Sequence, residues 1–290
     1  MFENKAANQF VPLIEQLNRM EVDLTSLDLS ERDYASQRVE EIKSKFIDLL
    51  IEAVDSEDEE TRRGAVYGLS KLEDHSAIFI LIRSLSDPDD MVRSWACEGL
   101  GKFSNKTHIP YLVEALFDES IYVYYSASTA LKKYSNDDLW PELEAKFSNS
   151  VKSELKRVIK LVGEIGEKRA LVYLTSMLED ENPSIRYECV EAMRCIGDSS
   201  SIEFLIEHLS DPSRDVRICC IQSLSWLKVK KAIPYLVRIY LYNEDLRSFV
   251  ATAITDIAGS EVILILNDAL DLMDDLIETK LNLITSHCIE

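Results

Sequence analysis

The chain has 290 residues, 46% of them hydrophobic, with only eight glycines and seven prolines, so there is ample apolar material for a core and little to interrupt it. Acidic side chains outnumber basic ones 52 to 32, a net charge of -20 that repels phosphate backbones and anionic lipids and favours basic partners. The first residues, MFENKAANQF, lack a cationic start followed by an apolar core, and no stretch is uniformly apolar for the roughly 20 residues a membrane span requires, so a cytoplasmic protein is expected.

Residues 1–46 read as an N-terminal helical cap, with Phe10, Leu13, Ile14 and Leu17 on one stripe. From Ile47 onward the sequence repeats every 31 residues, with blocks opening at Ile47, Ile78, Ile109, Trp140, Leu171, Ile202, Ile233 and, less cleanly, Leu264. Such a period marks one supersecondary unit stacked many times. Each block opens with a short amphipathic helix, as in Ile109, Leu112, Val113 and Leu116. A turn follows, Asp87-Pro88 or Asp211-Pro212 in the best copies, where a second helix is expected to start because an acid and then a proline suit a first turn. Val92, Ala96, Leu100 and Phe103, like Val216, Cys220, Leu224 and Leu227, give this second helix one apolar side. Residues 264–290 are again amphipathic, with acids along one face, and are expected to close the far end. The expected architecture is all-α: one domain over 1–290, a right-handed α-solenoid of stacked helical hairpins with a cap over 1–46, about seven repeats over 47–263 and capping helices over 264–290.

The Asp-Pro turn, the following Val92-Arg93, Ile185-Arg186 or Val216-Arg217, a small residue and a closing Leu-Gly or Ile-Gly resemble HEAT repeats, and more narrowly the short bacterial repeat of phycobilin lyases. The resemblance covers about Ile47 to Ile263 and implies a ladder of turn acids and helix arginines, here Asp87 and Arg93, Asp180 and Arg186, Asp211 and Arg217. Tyr124 and Leu155 stand in the arginine slot of two blocks, and the block from Ile233 slips by about one residue, so the ladder is expected to break in the middle. Proteins that share the repeat include lyase subunits, adaptors and inhibitors, so the resemblance implies a fold and not an activity.

Charge is distributed unevenly. Residues 1–46, 47–77 and 264–290 carry -3, -6 and -5, whereas 78–108 is neutral and 140–170 is +2, with Lys152, Lys156, Arg157 and Lys160 in one patch. Acidic ends serve solubility or clamp a basic protein, and charge alone does not separate the two. On the second helices, residues off the core stripe make a discontinuous aromatic ridge on the expected concave face: Tyr67, Trp95, Glu98, Tyr125, Tyr187, Glu188, Glu191 and Trp226. Aromatic anchors among polar groups are common in protein-binding surfaces, and the competing reading has the same rings filling gaps between repeats.

There is no phosphate-binding glycine loop, no nucleophile elbow and no metal-binding histidine pair, and His75, His108, His208 and His287 fall in different blocks. The six cysteines have no zinc spacing and read as reduced packing thiols. The expectation is a non-catalytic scaffold or adaptor without cofactor or metal, holding another protein with a basic surface, for instance as a bacterial inhibitor or immunity protein. The alternative, implied by the resemblance, is a subunit of a phycobilin lyase or a bilin-handling chaperone.

Overall fold

At Asp74, Asn105, Glu167 and Asp198, positions in step with the 31-residue period, a side-chain oxygen accepts the amide hydrogen of the residue two further on and starts a short 3-10 turn. The first helix of each hairpin follows directly, at Ile78, Ile109, Leu171 and Ile202, where the sequence blocks open. The computed structural model describes residues 7–23, 29–149 and 152–259. The capping helices expected over 264–290, with His287, lie outside the described residues, as does Cys288.

The chain forms two compact units, Met1–Asn149 and Ser150–Glu290. The first contains α1 (Ala7–Asp23), α2 (Leu29–Ala53), α3 (Glu59–Leu72), α4 (Ile78–Ser84), α5 (Asp90–Leu100), α6 (Ile109–Ala115), α7 (Ile121–Leu131) and α8 (Asn136–Asn149). The second contains α9 (Lys152–Glu164), α10 (Leu171–Met177), α11 (Pro183–Ile196), α12 (Ile202–Glu207), α13 (Arg214–Trp226), α14 (Ile233–Tyr242) and α15 (Arg247–Ala258). No strand occurs among the described residues. The second helices of the hairpins, here called helices B, stack side by side: α3 on α5 on α7 in one unit, α9 on α11 on α13 on α15 in the other. The shorter first helices back this row, and α1 packs on α3 at its end. The architecture is an all-α solenoid.

Val92, Ala96, Leu100, Val216, Cys220 and Leu224 are fully buried, as the apolar stripe requires. Phe103 and Leu227, at the helix ends, are half-buried. Leu13 departs from the N-terminal stripe: it is 47% exposed while Ile14 and Leu17 are buried. The helix-B row packs so closely that Gly163 of α9 faces Ala192 of α11, and a Cβ on Gly163 would lie 2.7 Å from the Ala192 Cα.

The Asp-Pro pairs form the turn and do not begin the helix. The Asp87 carboxylate accepts the amide hydrogen of Asp89 (2.9 Å), and that of Asp211 accepts from Ser213 (2.7 Å). Helix α5 is instead capped by Asp89, which accepts from the Val92 amide at 3.1 Å. The turn acid caps only the turn, and its carboxylate also serves a neighbouring repeat.

That service is the arginine ladder. Arg186 donates to Asp211 through Nε and Nη2, both at 2.8 Å, while its Nη1 donates to the Asp180 and Glu181 carbonyls of its own turn. Arg93 does the same to Asp118 (2.7 and 2.8 Å) and to the Asp87 and Pro88 carbonyls, and Arg62 reaches Asp87 at 3.0 Å. Each guanidinium therefore ties its own turn to the acid 25 residues further on, and Asp87 and Arg93 belong to adjacent rungs. Arg62 and Asp118 escaped the sequence reading, although the separation of 25 would have found both. Where the next acid falls in the slipped block the rung is weak: Arg217 comes no nearer than 3.9 Å to the half-exposed Asp245. The slip is larger than one residue: α14 has 10 residues where α4, α6 and α10 have 7, which delays the acid. Tyr124 and Leu155, which replace ladder arginines, are buried and stand either side of the boundary between the units in sequence.

Cys97, Cys189, Cys219 and Cys220 are buried and Cys195 is exposed. Burial pushes the Cys97 thiol up to about 12 and raises those of Cys189, Cys219 and Cys220 as well. Alkylation of the native protein followed by peptide mapping should therefore label Cys195 and leave these four unmodified; early labelling of Cys219 or Cys220 would show that the α13 core opens readily.

Candidate functional site on the helix-B face

On the B helices of the first unit, Tyr67 and Trp95 meet edge to face, their centroids 5.2 Å apart at 70°. The Lys71 ammonium sits 5.0 Å from the Tyr67 ring centroid and pairs with Glu98 at 2.5 Å. Tyr67, Trp95 and Glu98 are half-buried and cross-link α3 to α5. Tyr125 on α7 is 53% exposed, with its ring 5.1 Å from that of buried Tyr124.

The second unit is more open. Trp226 is 60% exposed at the end of α13, and the Arg194 guanidinium lies 5.5 Å from its ring centroid. Glu191 holds Arg194 at 2.5 Å and accepts a hydrogen bond from the Cys219 thiol at 3.2 Å. Burial pushes the Glu191 carboxyl up, but these hydrogen bonds and the arginine charge outweigh it and leave it below its ordinary value. Glu188 behaves oppositely. Burial raises its carboxyl, and the charges of Lys160 and Lys156 offset that only in part.

Two grooves cross this surface. One, of about 510 Å³ between α11 and α13, is lined by Lys156, Tyr187, Glu188, Asp215, Ile218 and Gln222 among others. The next, of about 550 Å³ between α13 and α15, is lined by Gln222, Trp226, Phe249, Thr252 and Asp256. Gln222 borders both, so Tyr187, Glu188 and Trp226 share one surface, and Glu191 is tied to it through Arg194, which lies over the Trp226 ring. Tyr187 and Ile218 occupy the same slot of successive repeats, and the sequence reading missed Ile218 although the period lines it up with Tyr187; it also missed Phe249, which stands in the slipped block. It also missed Arg194, and an open groove of about 1480 Å³ between α12 and α14 bordered by Ile206, Leu209, Tyr235 and Tyr242.

The histidines of the described residues do not converge on one centre. Buried His108 has Nδ1 3.4 Å from the Leu100 carbonyl oxygen, and burial lowers its pKa; His208 Nδ1 lies 2.9 Å from the Phe204 carbonyl oxygen. No group of three metal-ligating side chains occurs among the described residues, and no helix there is long and apolar enough to cross a membrane.

The hairpin period, the stacked B helices and the arginine ladder define a helical-repeat scaffold. The chain belongs to the HEAT-repeat family, whose model matches residues 26–94, 80–159, 152–224 and 174–255. No curated protein matches it in sequence. Among solved structures it is similar to YibA of E. coli, with 20% identity, 87% of this chain and 97% of that one covered, and a TM-score of 0.47. It is also similar to the complex of CpcE and CpcF of phycocyanin lyase from Nostoc sp. PCC7120, with 20% identity, 79% and 94% covered, and a TM-score of 0.37. Human deoxyhypusine hydroxylase in complex with glycerol is similar at 20% identity, with 74% and 96% covered and a TM-score of 0.34.

Proposed function

We propose that this protein is a non-catalytic scaffold that holds a basic partner protein against its helix-B face, as an inhibitor of a basic enzyme or toxin does. The observation that carries the reading is Trp226, a large apolar ring left 60% exposed beside a groove and flanked by the polar Gln222, Arg194 and Asp256. Rings of this kind dominate binding energy when a partner dries them, and tyrosine and tryptophan order at small entropic cost. The net charge of -20 supports a basic partner by steering the encounter from a distance.

The test uses a partner cross-linked to the intact protein in its native host, then purified. Calorimetry with Trp226→Ala should show affinity weakened about tenfold or more, and the association rate of the unaltered pair should fall steeply with salt. Unchanged affinity in a Trp226→Ala, Tyr187→Ala double variant would remove the helix-B face from consideration.

A further inference from the structure

We infer that the groove between α11 and α13 receives a single arginine or lysine side chain of the partner. The inference deepens the reading of the helix-B face as a protein-binding surface and rests on it. A cationic side chain has two requirements: an apolar wall for its stem and carboxylate for its head. The groove supplies both. Pro183, Ile218 and the Tyr187 ring, which is 37% exposed, form the apolar lining, and Glu188 and Asp215 bring two carboxylates to the same 510 Å³ space.

Neither Glu188 nor Asp215 accepts a hydrogen bond or forms an ion pair with any described residue, in contrast to Glu191, which has both Arg194 and Cys219. Lys156 also lines the groove, yet it and Lys160 act on Glu188 only through their charge. Glu188 is half-buried and Asp215 exposed, so the cost of a carboxylate without a donor falls on Glu188, and a guanidinium or ammonium entering the groove removes it. Glu188 aligns in the repeat with Trp95, so this carboxylate departs from an aromatic slot and is not imposed by the period.

The probe is N-acetyl-L-arginine amide titrated into the isotope-labelled full-length protein, with the uncharged isostere N-acetyl-L-citrulline amide as comparison. The expected result is a saturable set of amide shifts confined to residues around Tyr187, Glu188, Ile218 and Gln222, with binding weakened about fivefold or more by citrulline and by the Glu188→Gln, Asp215→Asn double variant. Both substitutions keep side-chain shape, and an unchanged melting curve verifies folding. Unsaturated shifts spread over the acidic surface, or equal binding by the double variant, would overturn the inference. The purified partner separates the two claims. Affinity lost in Trp226→Ala but kept in Glu188→Gln, Asp215→Asn overturns the groove alone and leaves the helix-B face standing. Affinity kept in both overturns the broader reading as well.

Discussion

Arg186→Ala is expected to lower the free energy of unfolding by about 3–5 kcal/mol, measured by urea denaturation at neutral pH, because it strands a buried carboxylate. Asp211 is 5% exposed and its two oxygens each accept from Arg186 at 2.8 Å. The variant also frees the Asp180 and Glu181 carbonyls that Arg186 Nη1 satisfies. Arg217→Ala makes the comparison: its acid, Asp245, is half-exposed and 3.9 Å away, so water takes over most of that pairing and the cost should be about 1–2 kcal/mol, chiefly from its turn carbonyls. Equal losses would mean that the carboxylate contact is not what stabilises the rung.

The pH dependence has a definite sign. Burial pushes the Asp211 carboxyl up, but the hydrogen bond from Arg186, the Ser213 amide and the arginine charge together hold it below its ordinary value. A carboxyl lowered in the folded state binds its proton more readily unfolded, so its contribution is fully present above about pH 4 and is lost as pH falls through the folded pKa. In Arg186→Ala burial acts with far less opposition and the carboxyl rises. Protonation then relieves the stranded charge, and the stability gap between the variant and the original protein should narrow between pH 7 and pH 4.

Gly163→Val is expected to cost about 2–4 kcal/mol by the same measurement, against the few tenths to one kcal/mol that a side chain usually gains over glycine within a helix. The new Cβ would meet the Ala192 Cα at 2.7 Å and its Cβ at 3.0 Å, and backbone on a neighbouring packed helix cannot retreat without parting α9 from α11. Gly163→Ala should show a smaller loss of the same sign. A gain in either variant would mean that the two helices do not touch as described.

The hairpin repeat was readable because stacking imposes the same demands on every copy. Val92, Ala96 and Leu100 recur as Val216, Cys220 and Leu224 since each faces an equivalent neighbour. The ladder was read only by halves. Asp87 and Arg93 stand in one block, but the physical pair crosses to the next, and only the stack shows Arg93 reaching Asp118 and leaving Asp87 for Arg62. Among the ridge residues, Tyr67, Trp95, Tyr187 and Trp226 look alike in sequence. Tyr67 and Trp95 interlock between α3 and α5, whereas Trp226 stands 60% exposed beside a groove.

By itself, then, the amino-acid sequence determined what is local and periodic: helix, turn, apolar stripe, block length and net charge. These follow from the spacing of side chains along one chain. Tertiary structure alone decided which repeat each charge pairs with, which aromatic rings are covered, and that Glu188 and Asp215 face one groove without donors, because those depend on distances between residues that no spacing within a single helix encodes.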